Sequence, residues 1–177
     1  MGRQVVDPIA SVPRYKIEPL ASNHDRTAFS SGVQELDHYI RQQAGQDLKR
    51  KLAAVFVLAM ENDGIAGFFT LSARSLSASE LPPEIGKKLP RYPLPVTLLG
   101  RMAVSQSLQG KGIGKLLLFE ALDQALRSSQ QVGSWAVVVD AKVGAREFYL
   151  KYGFLPLPDQ PERLVLPMRM IEQIFEE

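Results

Sequence analysis

Three glycines alternate along Gln109-Gly-Lys-Gly-Ile-Gly-Lys115, between an apolar run and a stretch of helical periodicity. Glycine lets the backbone take unusual angles and come close to a ligand. The first turn of a following helix offers free N–H groups and the positive end of its dipole, a combination that favours phosphate. Lys111 and Lys115 add charge at the same spot. A Walker loop is excluded: it needs four residues between its glycines and then Lys-Ser/Thr, whereas three separate Gly110 from Gly114 and Leu116 follows Lys115. The dinucleotide fingerprint is excluded too, because it needs glycine where Lys115 stands and follows the chain's first strand. A pyrophosphate site is the expectation, and a purely structural glycine turn is the alternative.

The elements around the loop must hold it in place. Val96 to Val104 reads as a buried strand before it, and Leu118, Ala121, Leu122 and Ala125 mark a helix after it. Trp135 to Val139 is a second central strand, Ala141 to Tyr149 a short helix and Leu164 to Leu166 a late strand. Upstream, Ala53 to Met60, a turn ending in Gly64, and Ile65 to Leu71 form a β-hairpin pattern. Ser31 followed by Gln34 has the form of a capping box. Behind it Val33, Leu36, Ile40, Ala44 and Leu48 recur at helical steps, and the helix ends in Lys49-Arg50-Lys51. The proline-rich stretch from Arg74 to Pro95 is expected to be mostly loop with one short helix. This order predicts an α/β fold, a mixed central β-sheet flanked by helices. Residues 1–14 are expected to form an N-terminal arm and 15–177 a single domain.

Composition narrows the chemistry. The 177 residues are 45% hydrophobic and 23% charged, enough for one domain with a real core. With 21 Lys+Arg against 19 Asp+Glu, any basic surface must come from local clustering rather than bulk charge. Cysteine is absent, which removes disulfides, thiolate zinc sites and a cysteine nucleophile together. Arg3, Asp7, Pro8 and Pro13 stand where a signal peptide needs an apolar block. The longest apolar run, Leu52 to Met60, is far short of the ~20 residues of a membrane helix. A cytoplasmic protein without membrane contact is expected. The two histidines, His24 and His38, show no catalytic spacing, and no metal-ligand cluster stands out.

Two motifs then combine. Arg101-Met-Ala-Val104 with Gln109-Gly-Lys-Gly-Ile-Gly114 resembles the acetyl-CoA loop of the GNAT acetyltransferase superfamily. Ala145-Arg-Glu-Phe-Tyr149-Leu-Lys-Tyr-Gly153-Phe154 resembles that superfamily's closing A-x-x-F-Y-x-x-x-G-F. Further, Phe29 to Ile40 with Ala44, Gln46, Asp47 and Arg50 is similar to the opening of GNAT toxins from type II toxin–antitoxin modules (TacT-like). So are Leu89 to Val96 and Val139 to Lys142, and the likeness runs from about Tyr15 to the end of the chain. The resemblance implies acetyl-CoA as co-substrate and no metal. It places the cofactor against Met102, Ala103 and Val104, then Gln109, Gly110, Lys111, Gly112, Ile113, Gly114 and Lys115, then Ala141, Lys142, Ala145 and Phe148. Lys142 stands where many GNAT enzymes carry a CoA-binding asparagine.

Acetyl transfer to an amine needs a neutral amine, an oxyanion donor and a proton for the thiolate. Without cysteine, direct attack in a ternary complex is the simplest course. A backbone N–H of Ala103 or Val104 is the oxyanion candidate. The matched motif makes Tyr149 the general acid, with Tyr152 as competitor, and core packing of Tyr149 is the alternative. The likeness to the toxins implies acetylation of the α-amine of aminoacyl-tRNA and arrest of translation, a ribbon–helix–helix antitoxin and a homodimer. An α-amine titrates near 7.7–8.0, so a strong base is not required. Candidates for meeting tRNA phosphates are Arg41, Lys49, Arg50 and Lys51 on the first helix, with Arg74, Lys87, Lys88 and Arg91 in the proline-rich stretch. Each cluster read alone is equally a solvated face. A small-molecule amine or protein amine is the alternative acceptor, and a silent CoA-binding or antitoxin-docking module is the reading from another class.

Overall fold

The apolar runs on either side of Asn62-Asp-Gly64 pair as expected. Strand β2 (Ala54–Ala59) and strand β3 (Ile65–Leu76) form an antiparallel hairpin, with Asp63 at φ 62° and the Asn62 side chain accepting the Gly64 N–H at 3.0 Å. The computed structural model describes residues 14–176, so most of the expected N-terminal arm lies outside the described residues. Seven strands form one sheet. Besides the hairpin these are β1 (Lys16–Pro19), β4 (Leu94–Val104), β5 (Ala136–Asp140), β6 (Leu155–Leu157) and β7 (Gln160–Pro167). Their order is β1-β2-β3-β4-β5-β7-β6, and every pairing is antiparallel except β4 with β5.

Helices cover both faces, which confirms the α/β expectation. The chain crosses from β4 to β5 through α4 (Ile113–Ser129), as a parallel pairing requires. Leu117, Leu118, Ala121, Leu122 and Ala125 on α4 pack with Phe69, Leu99, Val137 and Val139 of the sheet. The C-terminal helix α6 (Met168–Glu176) joins this layer through Met168 and Ile171. Gly67 of β3 is what lets α4 sit so close. A Cβ there would lie 2.6 Å from Leu117 Cδ1 and 2.8 Å from the Ala103 carbonyl.

The opposite face is covered in two patches. Over β1 to β4 lie Tyr39, Ile40 and Ala44 of the first helical segment, against Val55, Val57, Phe68 and Ala103. Over β3, β4, β5 and β7 lies Leu81, with Ala78, Ile85 and Leu89, against Leu76, Leu94, Val96, Val138 and Val165.

Several expectations are corrected in detail. The first helix is not uniform: α1 (Gln34–His38) passes through a π-helical turn (Tyr39–Gln43) into α2 (Ala44–Lys49). The Ser31–Gln34 capping box does not form. Instead Asp37 reaches back and accepts the Ser31 N–H at 2.7 Å and the Ser31 hydroxyl at 2.6 Å. Strand β3 runs on to Leu76, so Arg74 stands on a strand rather than a loop. The short helix expected in the proline-rich stretch, α3 (Pro83–Gly86), is present, with Pro83 at its first turn, and a 3₁₀ turn (Ala78–Glu80) precedes it. Helix α5 (Arg146–Lys151) starts after the predicted position because Gly144 sits at φ 89°, outside helical geometry. Strand β1, the short β6 and helix α6 were not anticipated.

Strand β4 has one irregularity that shapes the whole molecule. Phe69 faces Met102 and Leu71 faces Leu99, so Thr70 alone opposes both Gly100 and Arg101. This is a β-bulge, and it bends the strand that carries it. The Arg101 N–H donates to the Thr70 hydroxyl at 3.0 Å, and Thr70 is only 2% exposed. Thr70→Val removes this acceptor from a buried position. It is expected to cost about 1–3 kcal/mol in chemical denaturation, and an unchanged denaturation midpoint would show that the hydroxyl does not hold the bulge.

Candidate active site

The glycine loop leaves β4 through a single 3₁₀ turn (Gln106–Leu108) and enters α4. Gly110 and Gly112 sit at φ 78° and 83°, and a Cβ on either would meet nothing within 4 Å. Backbone angle, not space, therefore selects glycine there. Gly112 is the residue before the helix, and no side chain caps α4, so its first-turn N–H groups are left for an outside acceptor. Lys111 and Lys115 are exposed on either side of Gly112 and Ile113. Gly114 lies against Phe148 and Val104, whose nearest atoms stand 3.9 and 4.0 Å from where its Cβ would be. The fold thus gathers the loop, β4 and α5 at one place. Gln109 is a brace: its side-chain amide donates to the carbonyls of Ser31 at 2.8 Å and Val104 at 3.1 Å.

Beside this loop the sheet opens. The parallel pairing of β4 with β5 covers only Thr97–Leu99 against Val137–Val139. Past the bulge, β4 continues to Val104 paired with β3 alone. The Ser105 N–H donates to Ala66 on β3 at 2.8 Å. Strand alternation then turns the Ala103 N–H toward β3, and the Met102 and Val104 N–H groups toward the open side. Met102 and Val104 place their side chains on the α4 face, and Ala103 on the face of the first helical segment.

Tyr149 projects from α5 into the same region. Its ring packs edge-on against Phe148 (5.2 Å, 74°) and Phe154 (5.4 Å, 68°), and it is 6% exposed. Burial pushes the phenol up to about 12. Among the described residues the hydroxyl has no hydrogen-bond partner, yet no fully enclosed side-chain oxygen or nitrogen lacks one. The hydroxyl therefore touches open space while the ring belongs to the core. Tyr152 packs between Phe119 and Phe148 at a more exposed position. Ala141 is buried just past β5, and Ala145 packs against the same core at the start of α5.

On the other face, between the two covering patches, lies an open cleft of about 1420 Å³. Its floor is Leu98, Gly100 and Arg101 of β4 with Ala141, and its walls come from α1, the loop after β5 and the β6–β7 turn. Both signs of charge line it. Asp140 grips Arg163 with two bonds of 2.7 and 3.3 Å, Glu35 pairs with Lys142 at 3.0 Å, and Arg146 stands 3.7 Å from Glu147. The Arg163 guanidinium is raised above its ordinary value by its bond to Asp140.

Of the basic residues expected to meet phosphate, only Arg74 lines this cleft. Arg41 lines a smaller hollow of about 360 Å³ on the far side of the π turn and donates to the Phe29 carbonyl. Lys49, Arg50 and Lys51 are exposed at the end of α2, and Lys87, Lys88 and Arg91 are exposed between α3 and β4. Sequence reasoning missed the cleft's own cations Arg101, Arg146 and Arg163. The available signal for Arg101 was the glycine interrupting an apolar strand just before it. His38 lines the cleft and is exposed. His24 is buried elsewhere, accepting the Ala21 N–H at Nδ1 and bonding Glu18 at 2.6 Å from Nε2. No group of three or more metal-ligating side chains occurs, and no helix is long and apolar enough to cross a membrane, among the described residues.

Comparison with known proteins agrees with this geometry. The acetyltransferase (GNAT) domain model matches residues 24–170. A probable toxin TacT of Sinorhizobium fredii (strain NBRC 101917 / NGR234) is 31% identical over 171 residues, 90% of this chain and 94% of the relative. A tRNA-acetylating toxin of Mycobacterium tuberculosis (strain ATCC 25618 / H37Rv) is 33% identical over 146 residues, 82% of this chain and 87% of the relative. Among solved structures, AtaT complexed with acetyl-methionyl-tRNAfMet superposes with a TM-score of 0.85 at 27% identity, covering 92% of this chain and 99% of that one. AtaTR bound with acetyl-CoA gives 0.77 at 26% identity, covering 91% and 98%.

The brace at Gln109 has a local signature. In Gln109→Ala, amide hydrogen exchange across residues 106–114 should quicken while global stability falls by only about 1 kcal/mol. Unchanged exchange would show that the two carbonyl contacts do not hold the loop.

Proposed function

The chain belongs to the GNAT acetyltransferase family, and from that premise we propose that it transfers the acetyl group of acetyl-CoA to the α-amine of aminoacyl-tRNA and so blocks translation. The observation that carries this reading is the gap between β4 and β5, with an anion-binding loop on one face and an open cleft on the other. A thioester lying in the gap is reached from both sides. The uncapped start of α4, with Gly110, Gly112, Lys111 and Lys115, takes the pyrophosphate of the co-substrate. The open N–H of Val104 or Met102 polarises the thioester carbonyl and holds the oxyanion. Of the two expected donors, Ala103 and Val104, the strand alternation supports Val104.

The amine attacks as the free base, forming a C–N bond and a tetrahedral oxyanion, and the C–S bond then breaks. Two protons decide the rest: one leaves the ammonium of the adduct and one goes to sulfur. A phenol raised to about 12 is a weaker acid than a thiol near 8.5, so donation that leaves a phenolate is uphill by about 5 kcal/mol. Tyr149 therefore works as a relay, giving its proton to sulfur while taking the ammonium proton. No phenolate accumulates, the protons balance within the adduct, and neither histidine is needed as a base. An acylated α-amine cannot attack the next peptidyl ester, which makes the modification terminal for elongation.

The tRNA-acetylating relatives support charged tRNA over a small-molecule or protein amine. AtaT has been solved with the C-terminus of the antitoxin AtaR bound. A ribbon–helix–helix antitoxin, a homodimer and a cytoplasmic site of action complete the proposal, with residues 15–177 as the catalytic domain.

Total aminoacyl-tRNA incubated with labelled acetyl-CoA should acquire label on the aminoacyl group. Tyr149→Phe should bind acetyl-CoA as before and lose about 10²–10⁴-fold in kcat. Label that persists in the variant would discard the relay, and no label on any charged tRNA would move the acceptor to a small or protein amine. The pH dependence has a definite sign. The amine must be neutral, so initial kcat/KM rises through its pKa near or below 7.7–8.0. The relay must be protonated, so activity is lost only near pH 12 rather than pH 10. A plateau to pH 10 is expected, and half-loss at pH 10 would mean that Tyr149 is not the group that titrates.

A further inference from the structure

Arg101 lies on the bulge that opens the gap, and its guanidinium stacks on the Tyr39 ring, 3.8 Å above the centroid. That platform is immobile. Tyr39 is 1% exposed, its hydroxyl donates to Asp47 at 2.9 Å, and its ring stacks on Phe68 at 6.2 Å and 21°. Stacking uses the face of the guanidinium and leaves its N–H edge for an anion. Among the described residues Arg101 makes no ion pair, while the cleft cations Arg163, Lys142 and Arg146 each have a carboxylate. A fixed arginine with unspent charge, on the floor of an open cleft, is built to receive an oxyanion.

Its place in the fold says which one. Arg101 faces the side opposite the glycine loop, so the phosphates of the co-substrate are out of its reach. It precedes Val104 by three residues, about 10 Å along an extended strand. In an aminoacyl ester of a 3′-terminal nucleotide, eight single bonds separate the α-amine from the nucleotide's 5′-phosphorus, a span of at most roughly 10 Å. Resting on the aminoacyl-tRNA reading above, we propose that Arg101 binds the phosphate immediately 5′ of the terminal nucleotide and so sets the amine at the thioester. The distance between arginine and oxyanion donor would then measure out one nucleotide. This makes Arg101 the specificity contact for a nucleotidyl acceptor rather than a free amino acid.

The test uses the full chain, charged tRNA and 3′-O-aminoacyl adenosine, which carries no phosphate. Arg101→Met should lower kcat/KM for charged tRNA at least 10-fold and leave that for aminoacyl adenosine within twofold, with acetyl-CoA binding unchanged. The slope of log(kcat/KM) for charged tRNA against log[salt] should shrink by about 0.7, one single-strand phosphate contact. Arg101→Lys should restore most of the slope but not the full rate, because the stacked fork is gone. Arg101→Gln, still planar enough to lie on Tyr39, gives the same reading if the methionine variant does not fold. An unchanged slope overturns the proposal, as does an equal loss on both acceptors or a selective rise in KM for acetyl-CoA. Wild-type protein that acetylates no charged tRNA fails the function itself, a result visible before any variant is compared.

Discussion

One extra residue in one strand organises this molecule. Gly100 and Arg101 share a single partner, Thr70, and the bend they impose ends the pairing of β4 with β5 at Leu99 and Val139. Without the bulge the two strands would continue side by side, and a sheet covered by helices would have no opening. With it, the N–H groups of Met102 and Val104 face the open side without a strand partner, which is costly in a core and useful where a ligand carbonyl can take the bond. The bulge also decides what is exposed where: Arg101 falls on the face of the first helical segment and Val104 on the α4 face. Gly100 is suited to the position because a Cβ would press on the Thr70 hydroxyl at 3.0 Å.

The two faces then divide the labour. On the α4 face, Gly67 admits the helix so closely that its N-terminus meets the end of β4, which brings Gly114, Val104 and Phe148 into contact range. The Arg127–Asp123 pair lies at the far end of α4, and among the described residues Lys111 and Lys115 make no ion pair, so both reinforce the helix dipole. On the other face the sheet is covered by two separate hydrophobic patches, and the cleft is the uncovered ground between them. Helix α1 is tied down around this ground by Asp37, which satisfies Ser31, and by Tyr39, which is fixed to Asp47. The π turn that starts at Tyr39 is where such an insertion is commonly tolerated for function.

The parts of this arrangement legible in the sequence were those encoded over a few residues. Alternating glycines before a period of 3.6 announced the loop and α4, and apolar runs around Asn62-Asp-Gly64 announced the hairpin. The motif through Phe148 and Tyr149 led to α5, although the helix begins only at Arg146 because Gly144 breaks it. What stayed hidden depends on contacts far apart in sequence. Strand β1 is four residues that acquire meaning only beside β2. The capping box at Ser31 was displaced by Asp37, an equally local but stronger acceptor. The cleft was illegible because its floor and walls come from β4, α1 and two later loops. Hence Arg74 stands out in the sequence only as one candidate phosphate contact among several, and Arg101 only as the first residue of the glycine-loop motif, while both line the cleft. Charge clusters on the sequence, such as Lys49-Arg50-Lys51, mark exposed ends and say nothing about whether a groove lies beside them.

A net charge of +2 is a poor start for binding a polyanion such as the proposed acceptor, and the cleft indicates why little more would be needed. Counterion release rewards every neutralised phosphate regardless of sequence, so a strongly basic surface would hold nucleic acid anywhere along its length. Here most cleft cations are already spent on carboxylates: Arg163 on Asp140, Lys142 on Glu35, Arg146 on Glu147. These pairs are exposed and individually weak, but they cap the non-specific attraction of the site. What remains unpaired among the described residues of the cleft, Arg74 and Arg101, is placed rather than plentiful. Affinity then has to come from an end that fits the cleft and presents its amine to the gap. A surface that binds tRNA indiscriminately would compete with itself for the acceptor end, whereas under the proposed function a nearly neutral one with two placed arginines would favour productive encounters. The proposed relay would follow the same economy, with one buried phenol exchanging protons between the arriving amine and the departing thiolate, so that no separate acid or base has to be held charged in the core.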